Sequence, residues 1–414
     1  MALPKIIPAL ADLTQDIAGQ LPLELLQTWA TGNQNADEAT KLLDRYRLTG
    51  TVVSSDTSGL SRLTEERDLL DVLALVSAPK QVLHGVGVAV GGRAIGIWTA
   101  DNTEMFYPTS VSAGLVVDAM AEAQHRIAAS SELRIGMCVH SGDFFEVGGG
   151  LYGHDAEAVE RLAEDYAGPG VVLVTRAIID QLGAADRAGF TPCVELAEIH
   201  APGVFELSAP RALPDLRADA RTYPYPFPDE FFTLLEGLRD TDQPEALRKR
   251  IYDAYLRERV IVFLAKAGDE EATSPLETLL DGFVSNALME TVLKVGMGAG
   301  DHVAGVGGGL GILTFDSTRE AIDFSTAARA RFADNGVTVK IGIDRGPVLV
   351  FSTQGTHSGI SGDPVNIASK LSEDTGTTGR IRVSTRALDG IEAPPDAQPF
   401  EVTVSRIKLT GVEF

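Results

Sequence analysis

Asn366 and Lys370 stand four residues apart in GISGDPVNIASKL (359–371), so a helix there presents both on one face. Gly362-Asp363-Pro364 predicts its start, because Asp363 can cap free N–H groups and Pro364 suits the first helical position. A carboxamide and a cation beside a helix N-terminus can hold a sugar and a phosphate. A second set of groups lies far upstream. In SSDTSGLSRL (54–63), Asp56 stands at a strand end, and the backbone N–H groups of Thr57, Ser58, Gly59, Leu60 and Ser61 form a turn able to cradle phosphates. Asp101, in WTADNTEMF, offers a second carboxylate between two strand-like runs. Two carboxylates at neighbouring strand ends suit a pair of Mg²⁺ ions. Taken singly, these features also describe a capped surface helix and two turn aspartates.

The elements that must position these residues are bounded by length and composition. A chain of 414 residues with 44% hydrophobic residues can build two or three domains with real cores. A net charge of −23 argues against nucleic acid and anionic membrane surfaces as partners, and requires locally placed cations or metals for any anionic nucleotide. Cys138 and Cys193 make no disulfide framework and suit a reducing compartment. Pro4, Pro8 and Asp12 interrupt the first apolar stretch, so no signal peptide is read there, and no window approaches eighteen uninterrupted apolar residues. These features predict a cytoplasmic protein.

Residues 1–48 read as helical and are expected to pack on the first domain. Strand and helix signals then alternate from 49 to 208, as in an α/β or α+β domain. Residues 209–243 form a linker rich in proline, including TYPYPFP, and a second alternating domain spans 244–414. The two domains are a diverged repeat. LRIGMCVHSG (133–142) parallels VKIGIDRGPV (339–348), GHDAEAVERL (153–162) parallels GDPVNIASKL (362–371), and PGVVLVTRAIID (169–180) parallels GRIRVSTRALDG (379–390). The order is kept throughout. Where the first domain has Asp56 and Asp101, the second shows Lys266 and Gly309; where the second has Asn366, the first has Glu157, with Arg161 opposite Lys370. An acid facing a ribose and phosphate repels that ligand. One composite site is therefore equipped and the other is not.

At this point the residues resemble tandem class III nucleotidyl (adenylyl/guanylyl) cyclase catalytic domains, over about 49–208 and 245–414. SDTSGLS is similar to the family's first metal-aspartate motif, and GDPVNIASKL to the motif that carries its transition-state asparagine. The resemblance implies an α+β fold with ferredoxin-like βαββαβ cores, paired as an intramolecular pseudo-heterodimer in a monomeric chain. It implies that Asp56 and Asp101 bind Mg²⁺ or Mn²⁺ and that Arg134 and Lys408 contact phosphates. Gly359 and Ile360 would lie in the base and ribose region. Asn366 would orient the ribose of ATP, and Lys370 stands at the place of the family's transition-state arginine.

Three positions depart from that pattern. Lys370 keeps the charge but lacks the planar two-point grip of arginine. The purine-selecting lysine would fall near Ala304 or Gly305, and its partner falls on Gly359. The expectation is an ATP-binding protein with weak or absent cyclase activity. The alternatives are a working cyclase making 3′,5′-cyclic AMP and pyrophosphate, and a protein-interaction module that binds no nucleotide. Trp98 is expected in the core, and Cys138 as an inert strand residue.

Overall fold

The computed structural model describes residues 23–57, 67–98, 102–147, 149–196, 203–209, 223–240, 242, 244–267, 275–297, 301–307, 310–352, 358–404 and 407–414. The chain divides into two units. One holds Leu43–Pro226 with Leu235–Thr241, and the other holds Asp242–Phe414 with Phe227–Leu234 and the segment up to Leu42. We call them the N-terminal and C-terminal repeats.

Helices α1 (Leu23–Thr31) and α2 (Ala36–Leu43) precede the first sheet. Leu25, Leu26, Trp29 and Ala30 of α1 are buried at helical spacing. The expectation that residues 1–48 pack on the first domain holds in part: Asp44–Tyr46 packs on the strand Ile135–Val147 of that domain, whereas helix α1 packs on a helix of the C-terminal repeat, Pro275–Gly296. Sequence periodicity identified the apolar stripe but carries no information about which partner covers it.

The N-terminal repeat continues with β1 (Arg47–Thr57), α3 (Leu69–Ala89), β2 (Arg93–Ala94), β3 (Thr103–Pro108), α4 (Ala113–Ser130) and β4 (Ile135–Val147). This is one βαββαβ unit with strand order β2-β3-β1-β4, all pairs antiparallel. Next come β5 (Gly150–Tyr152), α5 (His154–Arg161), β6 (Val172–Thr175), α6 (Arg176–Ile179), α7 (Ala184–Arg187), β7 (Phe190–Pro192) and β8 (Val204–Leu207). Strand β6 joins β4 in parallel, and β8 and β7 extend the sheet. Helices α3 and α4 pack together, while α5 lies on β4 and β1. Val52, Phe106, Cys138, Phe144, Val159 and Leu173 form the core beneath α5, each fully buried aliphatic contributing about 1.5–3 kcal/mol. Cys138 is wholly buried and its thiol pKa is pushed well up by that burial, as an inert strand cysteine requires.

Helix α3 is long and apolar enough to cross a bilayer, but 67% of its apolar window is buried within the protein. Its run of Leu and Val covers a sheet, and Lys80 and His84 are buried with it. Trp98 is also in the core: its indole N–H donates to the Glu104 carbonyl at 3.2 Å, and its ring stacks on Tyr223. Tyr223 belongs to TYPYPFP, so the described end of that segment is packed. Within 209–243 also lies helix α8 (Asp229–Asp240), whose Phe231 meets Phe227, Tyr255 and Phe351 edge-on or tilted.

The C-terminal repeat has the same plan: α9 (Pro244–Tyr255), β9 (Leu256–Lys266), α10 (Pro275–Gly296), β10 (His302–Gly307), β11 (Leu310–Phe315), α11 (Thr318–Asp334) and β12 (Val339–Ser352). Then follow β13 (Ser358–Ser361), α12 (Asp363–Ser372), β14 (Ile381–Ser384), β15 (Gln398–Val404) and β16 (Ile407–Glu413). Strand order is β10-β11-β9-β12-β14-β16-β15, the image of the first sheet. Its main core joins Val260, Val262 and Leu264 to Leu288, Phe315 and Phe332.

Equivalent backbone bonds align the repeats independently of side chains. Gly170 N–H donates to Ile135 O at 3.0 Å, and Gly379 N–H donates to Val339 O at 2.9 Å. Both glycines hold left-handed φ values, +81° and +76°, which favour glycine. Ile135 therefore matches Val339, and His140 matches Asp344. Ile135 faces Thr57 and Val339 faces Lys266. Hence Lys266 matches Thr57, and Asp56 matches Ala265, one position off the sequence alignment. Likewise Arg134 does not match Lys340, and Arg386 matches Ala177 instead of Arg176. Side-chain likeness misled the alignment: from β1 to β4 the N-terminal repeat is five residues longer, and its β4–β5 hairpin is five residues shorter than β12–β13, so no single offset fits the repeat.

Candidate functional site

Asp56 is half-buried one residue from the end of β1, opposite Gly136. Its neighbour Ser55 pairs with Thr103, the first residue of β3, through a 2.5 Å hydroxyl contact. Asp101, Ser58, Gly59, Leu60 and Ser61 lie outside the described residues, while Thr57 is the buried last residue of β1. Asp56 is a hard oxygen donor at a strand end and so fits Mg²⁺ or Mn²⁺ chemically. Among the described residues no group of three or more His, Cys, Asp or Glu gathers as a metal cage. In the C-terminal repeat the same register position is Ala265, which offers no ligand.

Arg134 sits just before β4 and its guanidinium is occupied at the C-terminal end of α4. It donates to the carbonyls of Ser131 at 2.5 Å, Leu133 at 3.1 Å and Ala128 at 3.3 Å. The Ala128 and Ser131 carbonyls are among those a helix end leaves without intrahelical partners, and a cation there is favourable to the helix dipole.

Helix α12 forms where the sequence predicts, but its N-cap is Gly362 with no side-chain cap; Asp363 is the first helical residue, followed by Pro364, and its carboxylate pairs with Arg386 instead of capping N–H groups. Pro364, Ile367, Ala368 and Leu371 are buried against β12 and β9, leaving Asp363 and Asn366 exposed and Lys370 at the edge of that face. A Cβ on Gly342 would overlap the Ala368 carbonyl, so this glycine lets the helix lie directly on β12. Ser372 Oγ donates to Lys340 O at 3.0 Å and fixes the far end. At the near end Arg386 bridges Asp363, at 2.8 Å, and the fully buried Asp344. Asp344 also accepts from Ser384 Oγ at 2.5 Å. Burial pushes the Asp344 pKa up, against the opposing pull of Arg386 and Ser384. Sequence reading missed this tie. Its one visible sign is a carboxylate inside the Val/Ile-rich run VKIGID.

Asn366 and Lys370 thus share the outward face of one anchored helix. Lys370 Nζ lies 3.6 Å from Asp374, with only 13% of its side chain exposed. Gly359 and Ile360 belong to β13, opposite Phe351 and Val350, and Ile360 packs with Ala368 and Phe263. Lys408 is placed differently. Its neighbours Ile407 and Leu409 pack toward Ile367 and Leu371 of α12, so strand alternation turns Lys408 to the other face of the β15–β16 ribbon. There it pairs with Glu401 at 2.9 Å.

The matching helix of the N-terminal repeat keeps a cation, Arg161, in the place of Lys370. Glu157 takes the place of Asn366, and Glu160 lies nearby with its pKa raised by burial and then by Glu157. Glu104, on β3, is raised to about 8 by burial and by the charges of Glu160 and Glu146, against a backbone hydrogen bond from Leu151. Arg93 pairs with Glu146 through two contacts, 2.7 and 2.6 Å.

No family model matches the sequence, and no curated protein matches it. Among solved structures, the chain is similar to a class III adenylyl cyclase-like ATP-binding protein from Pseudomonas aeruginosa. The identity is 14%, the match covers 86% of this chain and 93% of that one, and the TM-score is 0.50. Shorter likenesses reach the guanylate cyclase domain of RhGC from Catenaria anguillulae (18% identity, 38% of this chain, 94% of that one, TM-score 0.31). Another is an adenylate/guanylate cyclase/hydrolase from Silicibacter pomeroyi (17%, 38%, 96%, 0.30). The likeness that spans both sheets fixes the fold; the single-domain ones add no argument. This chain carries the class III cyclase-like fold, built from two α+β repeats in tandem.

Proposed function

We propose that the chain binds one nucleoside triphosphate, ATP, at a composite site to which the repeats contribute different groups, and that it converts ATP slowly or not at all. One observation carries this reading. The helix face of the C-terminal repeat offers Asn366 and Lys370, whereas the matching positions of the N-terminal repeat are Glu157 and Arg161, so the cation is kept and the carboxamide is exchanged for an acid; the strand-end carboxylate is reversed, Asp56 against Ala265. Asn366 orients the ribose and Lys370 neutralises phosphate charge, with Arg134 and Lys408 as outlying cations. A divalent ion held by Asp56 and Asp101 would neutralise further phosphate charge. Lys370 supports binding better than chemistry, because an ammonium lacks the two-point hold that a guanidinium gives a phosphoryl group. The full-length likeness to a protein described as ATP-binding supports the same ligand.

The test is to incubate the full chain with ATP and Mn²⁺ and to quantify bound and released nucleotides by mass spectrometry. Retained intact ATP, lost in Asp56→Ala and Asn366→Ala, is the expected result. Cyclic AMP in quantity, abolished by Asp56→Ala, would make the chain a working cyclase. Neither binding nor product with ATP, GTP, CTP or UTP would overturn the nucleotide reading. Lys370→Arg sharpens the outcome: a rise of about a hundredfold in cyclisation would show that the remaining site is competent.

A further inference from the structure

The N-terminal repeat holds a cavity of about 430 Å³ far along β1 from Asp56, lined by Thr49, Thr51, Ser112, Ser141, Asp143 and Asp155, with Gln181 at its edge. Its size lies within the range of small-ligand pockets. Neither lysine nor arginine lines it. Its hydroxyls are ordered: Thr49 Oγ1 donates to Asp143 Oδ1 at 2.5 Å, and Thr51 Oγ1 lies 2.7 Å from Ser141 Oγ. Asp155 accepts from the Asp143 N–H at 2.9 Å, with His140 Nε2 at 3.4 Å and His154 Nδ1 at 3.6 Å. Although burial alone would raise it, those donors hold the Asp155 carboxyl at about 2, so it is ionised at neutral pH. Among the described residues, Arg47 is a cationic neighbour of Asp143, at 3.7 Å.

The C-terminal repeat shows what belongs at the same register. Thr49, Gly50 and Ser141 match Glu258, Arg259 and Arg345, and Ala177 matches Arg386. There the strand ends carry built-in guanidinium groups: Arg345 on Glu258 at 3.3 Å, Arg259 on Asp316, and Arg386 across Asp344 and Asp363. In the N-terminal repeat the three arginines are replaced by Gly50, Ser141 and Ala177, while Asp143 and Asp155 supply carboxylates. The Gln181 amide donates to the Ala177 carbonyl at 2.9 Å, which places the truncated position beside the cavity edge.

We infer that this cavity is a binding site for a small organic cation, a guanidinium or primary ammonium compound, whose charged head pairs with Asp155 and Asp143 and whose body lies along the Thr49, Thr51 and Ser141 hydroxyls. The ligand's charge answers Asp155 and Asp143, which stand where the C-terminal repeat has Pro364 and Pro347, while the partners of Arg386 there, Asp344 and Asp363, are replaced by His140 and His154. The inference is independent of nucleotide binding, because every group it uses lies in one repeat and away from Asp56 and α12.

Isothermal titration of the full chain with agmatine tests it, with glycerol and inorganic phosphate as neutral and anionic controls. Saturable agmatine binding with no response to either control is expected. Asp155→Asn should weaken it at least tenfold, and Ala177→Arg, which furnishes a guanidinium in cis, should do the same with circular dichroism unchanged. Should Ala177→Arg fail to fold, Asp143→Asn at the rim takes its place and should weaken binding severalfold. No agmatine binding, equal binding of glycerol, or full affinity in these variants would each overturn the inference. Measuring ATP retention on the same preparation keeps failure of the nucleotide reading separate.

Discussion

The two repeats start the same helix on a glycine and tie it to the same strand position, yet the ties differ in charge. In the C-terminal repeat the strand gives Asp344, fully buried, and a guanidinium must then bridge it to Asp363 at the head of α12. In the N-terminal repeat the strand gives His140, whose Nδ1 lies 2.8 Å from Thr175 Oγ1 and whose Nε2 faces Asp155 near the head of α5. Thr175 and Ser384 occupy matching places and serve both ties. A buried carboxylate demands a cation, whereas an imidazole can be satisfied by a hydroxyl and a carboxylate. The helix position is thus preserved by the connection and not by the residues that make it. Gly50 and Ser141, two of the positions that hold arginine in the C-terminal repeat, line the cavity of the N-terminal repeat.

Removing the bridging side chain should break the two ties unequally. Arg386→Leu leaves Asp344 buried without its counter-charge and is expected to cost about 3 kcal/mol or more. His140→Leu leaves Asp155 with the Asp143 N–H and should cost about 1 kcal/mol. The chain's two tryptophans make this measurable, because Trp29 belongs to the C-terminal unit and Trp98 to the N-terminal unit. Urea unfolding followed by fluorescence in Trp98→Phe and Trp29→Phe backgrounds reads each unit separately. Equal losses for the two variants would remove the charge distinction.

Gly342→Ala addresses the other support of α12. The added methyl collides with the Ala368 carbonyl and the Ser372 N–H region, neither of which can step aside without moving the helix. A loss of about 1–3 kcal/mol is expected from such overpacking. ATP affinity should fall further than stability alone explains, because Asn366 and Lys370 ride on the displaced helix. Unchanged ATP retention in a folded Gly342→Ala protein would detach that helix from the binding reading.

Much of this architecture was legible from the residues. Alternating strand and helix signals, the ordered repeat and the Gly-Asp-Pro helix start all have local causes, and both sheets follow from them. Residue pairing across the repeats was less legible. Alignment by side-chain likeness placed Lys266 on Asp56, while the backbone places Ala265 there, since strand pairing sets the register and leaves no mark in composition. The role of Arg134 was read from the ligand outward, and in the fold its guanidinium serves the carbonyls that end α4. Lys408 and Lys370 are both cations near apolar strand and helix positions, but which face of a ribbon a lysine leaves from depends on pairing that sequence alone does not specify. The contacts that bury Asp344 join residues 40 and 42 positions apart, and the hydroxyl contacts of the cavity join residues 90 and 94 positions apart, beyond any local pattern.

A smaller effect distinguishes the carboxylates around α5 from the face of α12. Glu104 has its pKa raised from 4.5 to about 8, so the folded state holds a proton that the unfolded chain releases above 4.5. Stability from this group is therefore full below about pH 4.5 and is lost progressively as pH rises through 8. Glu104→Gln should flatten that limb and stabilise the N-terminal repeat at pH 8.5 by about 1–3 kcal/mol. The C-terminal repeat has Ile312 at the matching register and should show no such slope in the Trp29 signal. Parallel pH profiles for both tryptophans would contradict the assignment to Glu104.

The smallest effect lies at the acid end and again separates the two ties. Asp155 has its pKa lowered from 3.8 to about 2, because hydrogen bonds from His140 and the Asp143 N–H outweigh the effect of burial. A depressed carboxyl stabilises the fold above the unfolded value and loses that contribution as pH falls from about 3.8 through 2. With the group half exposed, solvent screening reduces the expected loss to about 1 kcal/mol. The C-terminal repeat has Pro364 in the corresponding place, which does not titrate. Acid unfolding between pH 4 and 2 should therefore show a limb in the Trp98 signal that Asp155→Asn removes. Losing the limb in His140→Leu as well would show that the imidazole is the donor that sets it, whereas a limb that survives both substitutions would assign acid sensitivity to other carboxylates and leave the His140 tie a packing contact.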